Sequence, residues 1–281
     1  MSDQLINPLS KHFRQPVLYL KLPSQGRWYQ NGAIELPLNG EIPIYAMTAR
    51  DEITLKTPDS LLNGTSTVSV IQSCCPNIKD AWKMPSLDLD PVLIAIRLAT
   101  YGKEMEFTAV CPQCTTKLES VLDLSFMLGK IQPNDWSTPI IYENLKIVLK
   151  PQSFEDFNKN STLDFDEKRI LQLVSDESVP IEEKTQKFDV LFKELVENGI
   201  LQISKSVESI TTPEGITVTD TTFISEYLNN CDRQVWEAIK LKLESIKDTD
   251  NYSTLSLTCK NAECLKEFTT PFVFEQSSFF A

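Results

Sequence analysis

The stretch "EFTAVCPQCTTKLESVLDLSF", residues 106–126, sets Cys111 and Cys114 two residues apart between runs that alternate apolar and polar side chains. Alternation with a period of two is the mark of a half-buried β-strand, so the pair belongs at the tip of a hairpin. A Cys-x-x-Cys pair is half of a metal site, a redox couple, or two ordinary thiols. Redox couples sit at a helix N-terminus after a strand, where the dipole lowers the thiol pKa. Here "TTKLESVLDLS" follows and reads as strand, which argues against redox chemistry.

A counterpart lies near the other end, in "STLSLTCKNAECLKEFTTPFVFEQSSFF". Both segments run strand-like lead-in (Met105–Val110; Thr254–Thr258), cysteine pair, polar link, then a second alternating run (Leu118–Phe126; Phe268–Phe274). Cys111, Cys114, Cys259 and Cys264 are therefore the candidate metal ligands. Four soft thiolates close a tetrahedral sphere and suit structural zinc. An iron–sulfur cluster on the same ligands, or unliganded thiols in two separate hairpins, are the alternatives. The remaining cysteines, Cys74, Cys75 and Cys231, read as packing thiols, since adjacent side chains in "SCCP" diverge and chelate poorly.

The expected fold class is α+β: a β-rich core, two cysteine-knuckle hairpins forming a split zinc-ribbon-like site, and an inserted helical subdomain. The expected boundaries are 1–152 for the β-rich N-terminal region with the first cysteine hairpin, 153–250 for an acidic helical insertion, and 251–281 for the cysteine hairpin that completes the N-terminal region. Within that region, "AIELPL" and "EIPIYAM" are expected to pair across Asn39-Gly40. "TARDEITLK" reads as a helix capped by Thr48, with Asp51 and Glu52 in its first turn, and "TSTVSVIQSCC" as another. "DLDPVLIAIRLATYG" reads as a buried helix capped by Asp90, opened by Pro91 and closed by Gly102. "IIYENLKIVLKPQS" is strand-like. In "PIEEKTQKFDVLFKELVENGILQISKSVESI", Phe188, Leu191, Phe192, Leu195, Val196 and Ile203 fall near one helical face. "TTPEGITVTD" gives a turn and short strand, then "TDTTFISEYLNNC" and "DRQVWEAIKLKLESIK" give two amphipathic helices.

Composition narrows the function. Apolar residues make up 41% of 281, ample for a core, while the net charge is −12. That charge argues against nucleic acid and anionic membranes as partners. The opening "MSDQLINPLSKHF" has no signal-peptide pattern, and no apolar run is long enough to span a bilayer, so a reducing cytoplasm is expected. Phosphate-loop, dinucleotide and H-E-x-x-H motifs are missing, and eight glycines leave few for phosphate-cradling loops. The lone histidine, His12, reads as a solvated surface residue. The close carboxylates of "SFEDF" and "SLDLDP" read as caps or a solvated face. No catalytic and no cofactor-binding residue is assigned, and an enzyme is not expected.

Four ordered motifs, "LPSQGRWY" (Leu22–Tyr29), "MTARDEITLKTPDSLLNG" (Met47–Gly64), "DPVLIAIRLATYG" (Asp90–Gly102) and "CPQC" (Cys111–Cys114), resemble the T4-type phage baseplate protein family, whose members are baseplate hub subunits or hub assembly catalysts. The resemblance covers roughly residues 18–130 and recurs in the closing cysteine segment; the acidic helical block is longer than it accounts for. It implies a non-enzymatic structural or assembly role, partners among other hub and tail proteins, oligomers on a symmetry axis, and a place in the virion tail baseplate. In these motifs Trp28 and Tyr29 read as interface anchors or as a hydrophobic plug. Arg50, Asp51 and Glu52 are expected to cap their helix and pair with Arg97. Phe279 and Phe280 are expected to fold back onto the domain, docking into a neighbouring subunit being the alternative. A zinc-ribbon nucleic-acid-binding or regulatory protein is the competing function. It is disfavoured because Lys103, Glu104, Glu106, Lys117 and Glu119, with Lys260, Glu263, Lys266 and Glu267, largely cancel around the cysteines. A metalloenzyme would need an open metal position, and four cysteines leave none.

Overall fold

A computed structural model of the chain describes residues 9, 12–56, 64–132, 134–159, 199–248, 254–271 and 279–280. Helices mix with antiparallel strands throughout. Strands β1 (Pro16–Lys21) and β2 (Glu41–Tyr45) pair, followed by helices α1 (Ala49–Leu55), α2 (Thr65–Cys74) and α3 (Leu89–Tyr101). A hairpin of β3 (Glu104–Val110) and β4 (Lys117–Asp123) leads into α4 (Leu124–Lys130). A second sheet runs in order β5 (Ile140–Tyr142), β6 (Leu145–Leu149), β7 (Val207–Thr211), β8 (Thr217–Val218), backed by α5 (Thr221–Asn230) and α6 (Arg233–Asp248). The last hairpin joins β9 (Thr254–Thr258) to β10 (Glu267–Pro271).

The first core forms around α3, in which Val92 through Arg97 are all buried. A helix apolar on every side must be central. Leu20, Ile42 and Ile44 of the β1–β2 pair and Val70 and Ile71 of α2 fill the space around it. Its end is abrupt because Gly102 adopts φ 88°, a left-handed conformation that glycine enters without a Cβ clash. A second core lies between the four-stranded sheet and α5–α6, with Ile147, Leu149, Val207 and Ile210 facing Ile224, Leu228, Val235 and Ile239.

The Thr48 cap is present with its reciprocal bonds: the Thr48 side chain accepts from Asp51 N–H, and Asp51 accepts from Thr48 N–H. Asp51 also accepts from Ser73 and faces Arg14 at 3.5 Å. Arg97 is not its partner. The Arg97 guanidinium donates to the Phe279 carbonyl, 182 positions away, and lies over the rings of Tyr101 and Phe279. Phe279 is 1% exposed and Phe280 is buried beside it in the α3 core. The tail folds back, as expected.

Other expectations need correction. β2 pairs with β1 rather than with "AIELPL", which turns instead, Gly40 N–H donating to the Pro37 carbonyl, while Ile34 bridges to Ile78. β4 stops at Asp123, whose carboxylate accepts from Ser125 and Phe126 N–H and starts α4, so Leu124–Phe126 are helical. "IIYENLKIVL" is a hairpin, with Glu143 and Asn144 both at positive φ, as a primed turn requires. Val207–Thr211 is strand rather than helix, paired to β6. Phe188, Leu191, Phe192, Leu195 and Val196 lie outside the described residues; Ile203 packs against the second core.

Asp88 is the largest surprise. Helix α3 begins at Leu89, not at Pro91, and the carboxylate before it is completely buried. It accepts from Ser24 N–H, Ser24 Oγ and Tyr29 Oη. Tyr29 is thereby a plug under the loop. Trp28 packs edge-on against Trp136 at 6.3 Å, and its Nε1 lies 3.4 Å from Glu208 of β7. Both aromatics of "LPSQGRWY" are used inside the molecule. By contrast the "SFEDF" carboxylates are ion-paired, Glu155 with Lys83 and Lys159, Asp156 with Lys205.

Burial pushes Asp88 up from 3.8 to about 6, against the lowering effect of its three donors. The folded protein therefore holds a proton that the unfolded chain has released, and stability from this group falls as pH rises through that window. Relative to Asp88→Asn, the parent should lose about 1.4 kcal/mol per pH unit between pH 4 and 6, measured by urea unfolding at several pH values; a constant difference would refute the assignment. Phe279→Ala should lower the unfolding free energy by about 3–4 kcal/mol in the same assay.

Candidate metal centre

Both cysteine hairpins build their tips alike. Cys111 follows β3 directly, and its N–H donates to the Thr116 carbonyl at 3.0 Å; Cys259 follows β9, and its N–H donates to the Lys266 carbonyl at 2.9 Å. Each N–H closes its loop just before the return strand. The second loop is longer by two residues, and Asn261 absorbs them: its carbonyl accepts from Cys264 N–H and Leu265 N–H, and its Oδ1 accepts from Glu263 N–H at 3.0 Å. That is why Cys-x-x-Cys and Cys-x-x-x-x-Cys present their sulfurs equivalently.

The two tips meet. Cys114 Sγ lies 3.5 Å from Cys259 Sγ, 145 positions along the chain, and Cys111 Sγ lies 3.8 Å from Cys264 Sγ. All four sulfurs fall within 4.8 Å of one another. Cys111 and Cys259 are buried over Leu118, with Phe268 packed alongside. Lys260 Nζ donates to the Glu119 carbonyl at 2.6 Å, tying one hairpin to the other outside the sulfurs. Among the described residues this is the grouping of histidine, cysteine or carboxylate side chains that could hold a metal ion. His12 is exposed and takes no part.

The electrostatics favour a cation. The Thr116 hydroxyl, 3.2 Å from Cys114 Sγ, and the Thr116 N–H favour the thiolate and bring Cys114 down to about 6. At Cys259 the Asn261 N–H also favours the thiolate. Desolvation and the neighbouring sulfurs of Cys114 and Cys111 outweigh it, pushing that thiol up to about 12. One sulfur ionises at the expense of another, because like charges this close resist sharing a site. A divalent ion at the centre removes the conflict.

The other thiols behave as packing groups. Cys74 and Cys75 are fully buried, and burial pushes Cys74 up to about 12 and Cys75 upward. Thr116, Asn261 and Lys260 support the centre without belonging to any motif that the sequence offers. For Thr116 and Asn261 the one available signal is a hydroxyl or amide residue two places after a knuckle cysteine.

A profile of T4 bacteriophage base plate proteins matches residues 29–281. The chain belongs to that family. No curated protein and no solved structure gives a significant match. The match begins at Tyr29, so most of "LPSQGRWY" precedes it, and it runs through the acidic middle block that the four motifs do not reach. Family membership makes the chain a structural component of a phage tail, in contact with other tail proteins. No helix among the described residues is long and apolar enough to cross a membrane.

Thr116→Val should raise the Cys114 thiol toward its ordinary value in metal-free protein. The pH midpoint of iodoacetamide alkylation at Cys114 reports this; an unmoved midpoint would remove Thr116 from the centre.

Proposed function

We propose that the chain is a non-enzymatic structural or assembly component of the baseplate hub, in which Cys111, Cys114, Cys259 and Cys264 bind one structural zinc ion in a split zinc-ribbon-like centre. The observation that carries the metal reading is the spacing of the sulfurs. A tetrahedron of thiolates about 2.3 Å from zinc has edges of about 3.8 Å, and the two cross-hairpin pairs stand at 3.5 and 3.8 Å. An iron–sulfur cluster of several irons would hold its cysteines further apart than a single ion does, so the spacing favours one ion. Zinc bound there supplies a closed, redox-inert cross-link with no position for substrate or water.

On this reading residues 1–152 form the β-rich region, 153–250 an insertion and 251–281 a closing hairpin, with the ion joining the first of these to the last. The hub assignment draws on the ordered motifs from Leu22 to Cys114. Partners are other hub and tail proteins, in a repeated, symmetric assembly within the virion baseplate. The nucleic-acid reading has little to support it: at the tips Lys117 and Glu119 offset each other, as do Lys260 and Glu263, and the whole chain carries −12.

Freshly purified protein should contain about one zinc per chain, with four thiols protected from a thiol reagent until a chelator is added. Chelation should also lower the unfolding midpoint, because binding to the folded form is folding free energy. Zero metal with seven reactive or merely buried thiols would contradict the centre. A phage deprived of the chain should lack complete tails and regain them when it is supplied in trans; normal tails without it would contradict the structural role.

A further inference from the structure

β9 reads "TLSLT" from Thr254 to Thr258, with no charge, proline or glycine. Among the described residues it pairs on one side only, with β10. Cys259 N–H donates to the Lys266 carbonyl at 2.9 Å, and an antiparallel ladder alternates between bonded and non-bonded pairs. Leu257 and Leu255 therefore turn their backbone groups toward β10, while Thr254, Ser256 and Thr258 turn theirs to the open edge. Pro271, opposite Thr254 and without an N–H, fits that phase. Thr254, Ser256 and Thr258 are exposed, and among the described residues their outward N–H and carbonyl groups meet no partner.

The other long edges are blunted, as edges must be in a chain that avoids strand addition. β3 carries Glu104 and Glu106, and β10 carries Glu267 and Pro271. β1 has Lys21 and a register shift, β2 has Pro43, and at β4 the Glu119 carbonyl is taken by Lys260. β9 has none of these devices, and its sequence reads the same in both directions. Laid antiparallel on a second copy about Ser256, Thr254 falls opposite Thr258, Leu255 opposite Leu257, and Ser256 opposite itself. Every outward donor then faces an outward acceptor of the other copy. The leucines fall at non-bonded pairs, where side chains approach more closely, and extend the half-buried face they share with Phe268. A strand opposite its own copy about one residue is the self-complementary contact that two-fold symmetry demands.

We propose that β9 is a self-pairing edge: two copies of the chain join β9 to β9 across a two-fold axis at Ser256, making one continuous sheet of both closing hairpins. The proposal goes beyond the structural-component reading above and does not draw on it. A hairpin that is marginal alone gains strands by this pairing. The contact is small, so the dimer is a weak, exchanging one.

Sedimentation of the purified full chain should show a monomer–dimer equilibrium between about 5 and 500 µM. Ser256→Pro removes a donor that points away from β10, which an edge strand tolerates. It should keep the parent's circular dichroism and weaken dimerisation at least tenfold. Ser256→Lys and Ser256→Glu each set like charges opposite each other on the axis. Each should be monomeric alone, and an equimolar mixture of the two should regain the parent's association. A parent that stays monomeric up to about 500 µM would overturn the proposal. So would a folded Ser256→Pro chain that dimerises like the parent, or one that loses the parent's circular dichroism, which would give this N–H a role inside the molecule. A mixture of the charged variants that associates no better than either alone would move the axis away from Ser256 and overturn it as well.

Discussion

Four sulfurs drawn from sequence-distant hairpins within 4.8 Å of one another form the constraint on which the architecture turns. Thiols packed this closely cannot all ionise unaided, and the opposed tendencies of Cys114 and Cys259 show that conflict within the site. A cation bound there would resolve it and convert a repulsive cluster into a cross-link. Two-stranded hairpins are marginal alone. β3–β4 and β9–β10 are separate two-stranded sheets; β3–β4 rests on the α3 core through Met105 and Leu122, and at the knuckles Leu118, Phe268 and the Lys260–Glu119 bond join the two hairpins.

The closing segment is held twice. Its cysteines meet the β3–β4 tip, and its last aromatics enter the core around α3, where Arg97 reads the Phe279 carbonyl. Helix α3 leads through Gly102 straight into β3, so both anchors fall on one continuous stretch of chain. A joint also links the two cores: Trp28, from the loop after β1, reaches Trp136 and Glu208, and Gln152 donates to the Gln202 carbonyl at 2.9 Å.

The features legible in the sequence were those whose physics is local. Thr48 and Asp51 spell a capping box within four residues, and the cysteine pairs announce themselves because soft-metal chelation demands their spacing. The fold-back of Phe279 and Phe280 was legible because two adjacent aromatics bury a large apolar area when they are covered. Long-range choices were not. Nothing near Asn39-Gly40 says that β2 will take β1 as its partner, and Arg97 meets a carbonyl 182 positions away instead of the carboxylates of α1. Asp88 looked like a surface cap because burial is decided by Ser24 and Tyr29, whose hydroxyls receive it only after the loop has folded. The strand Val207–Thr211 was lost inside a helical stretch, since its pairing with β6 is a tertiary fact.

Metal-edge X-ray absorption on the purified chain reads the central claim most directly. A single shell of four sulfur scatterers at about 2.3 Å around zinc, lost when Cys259 or Cys264 is replaced, is the predicted spectrum. A shell of nitrogen and oxygen near 2.0 Å, or sulfur contributed by one hairpin alone, would contradict it.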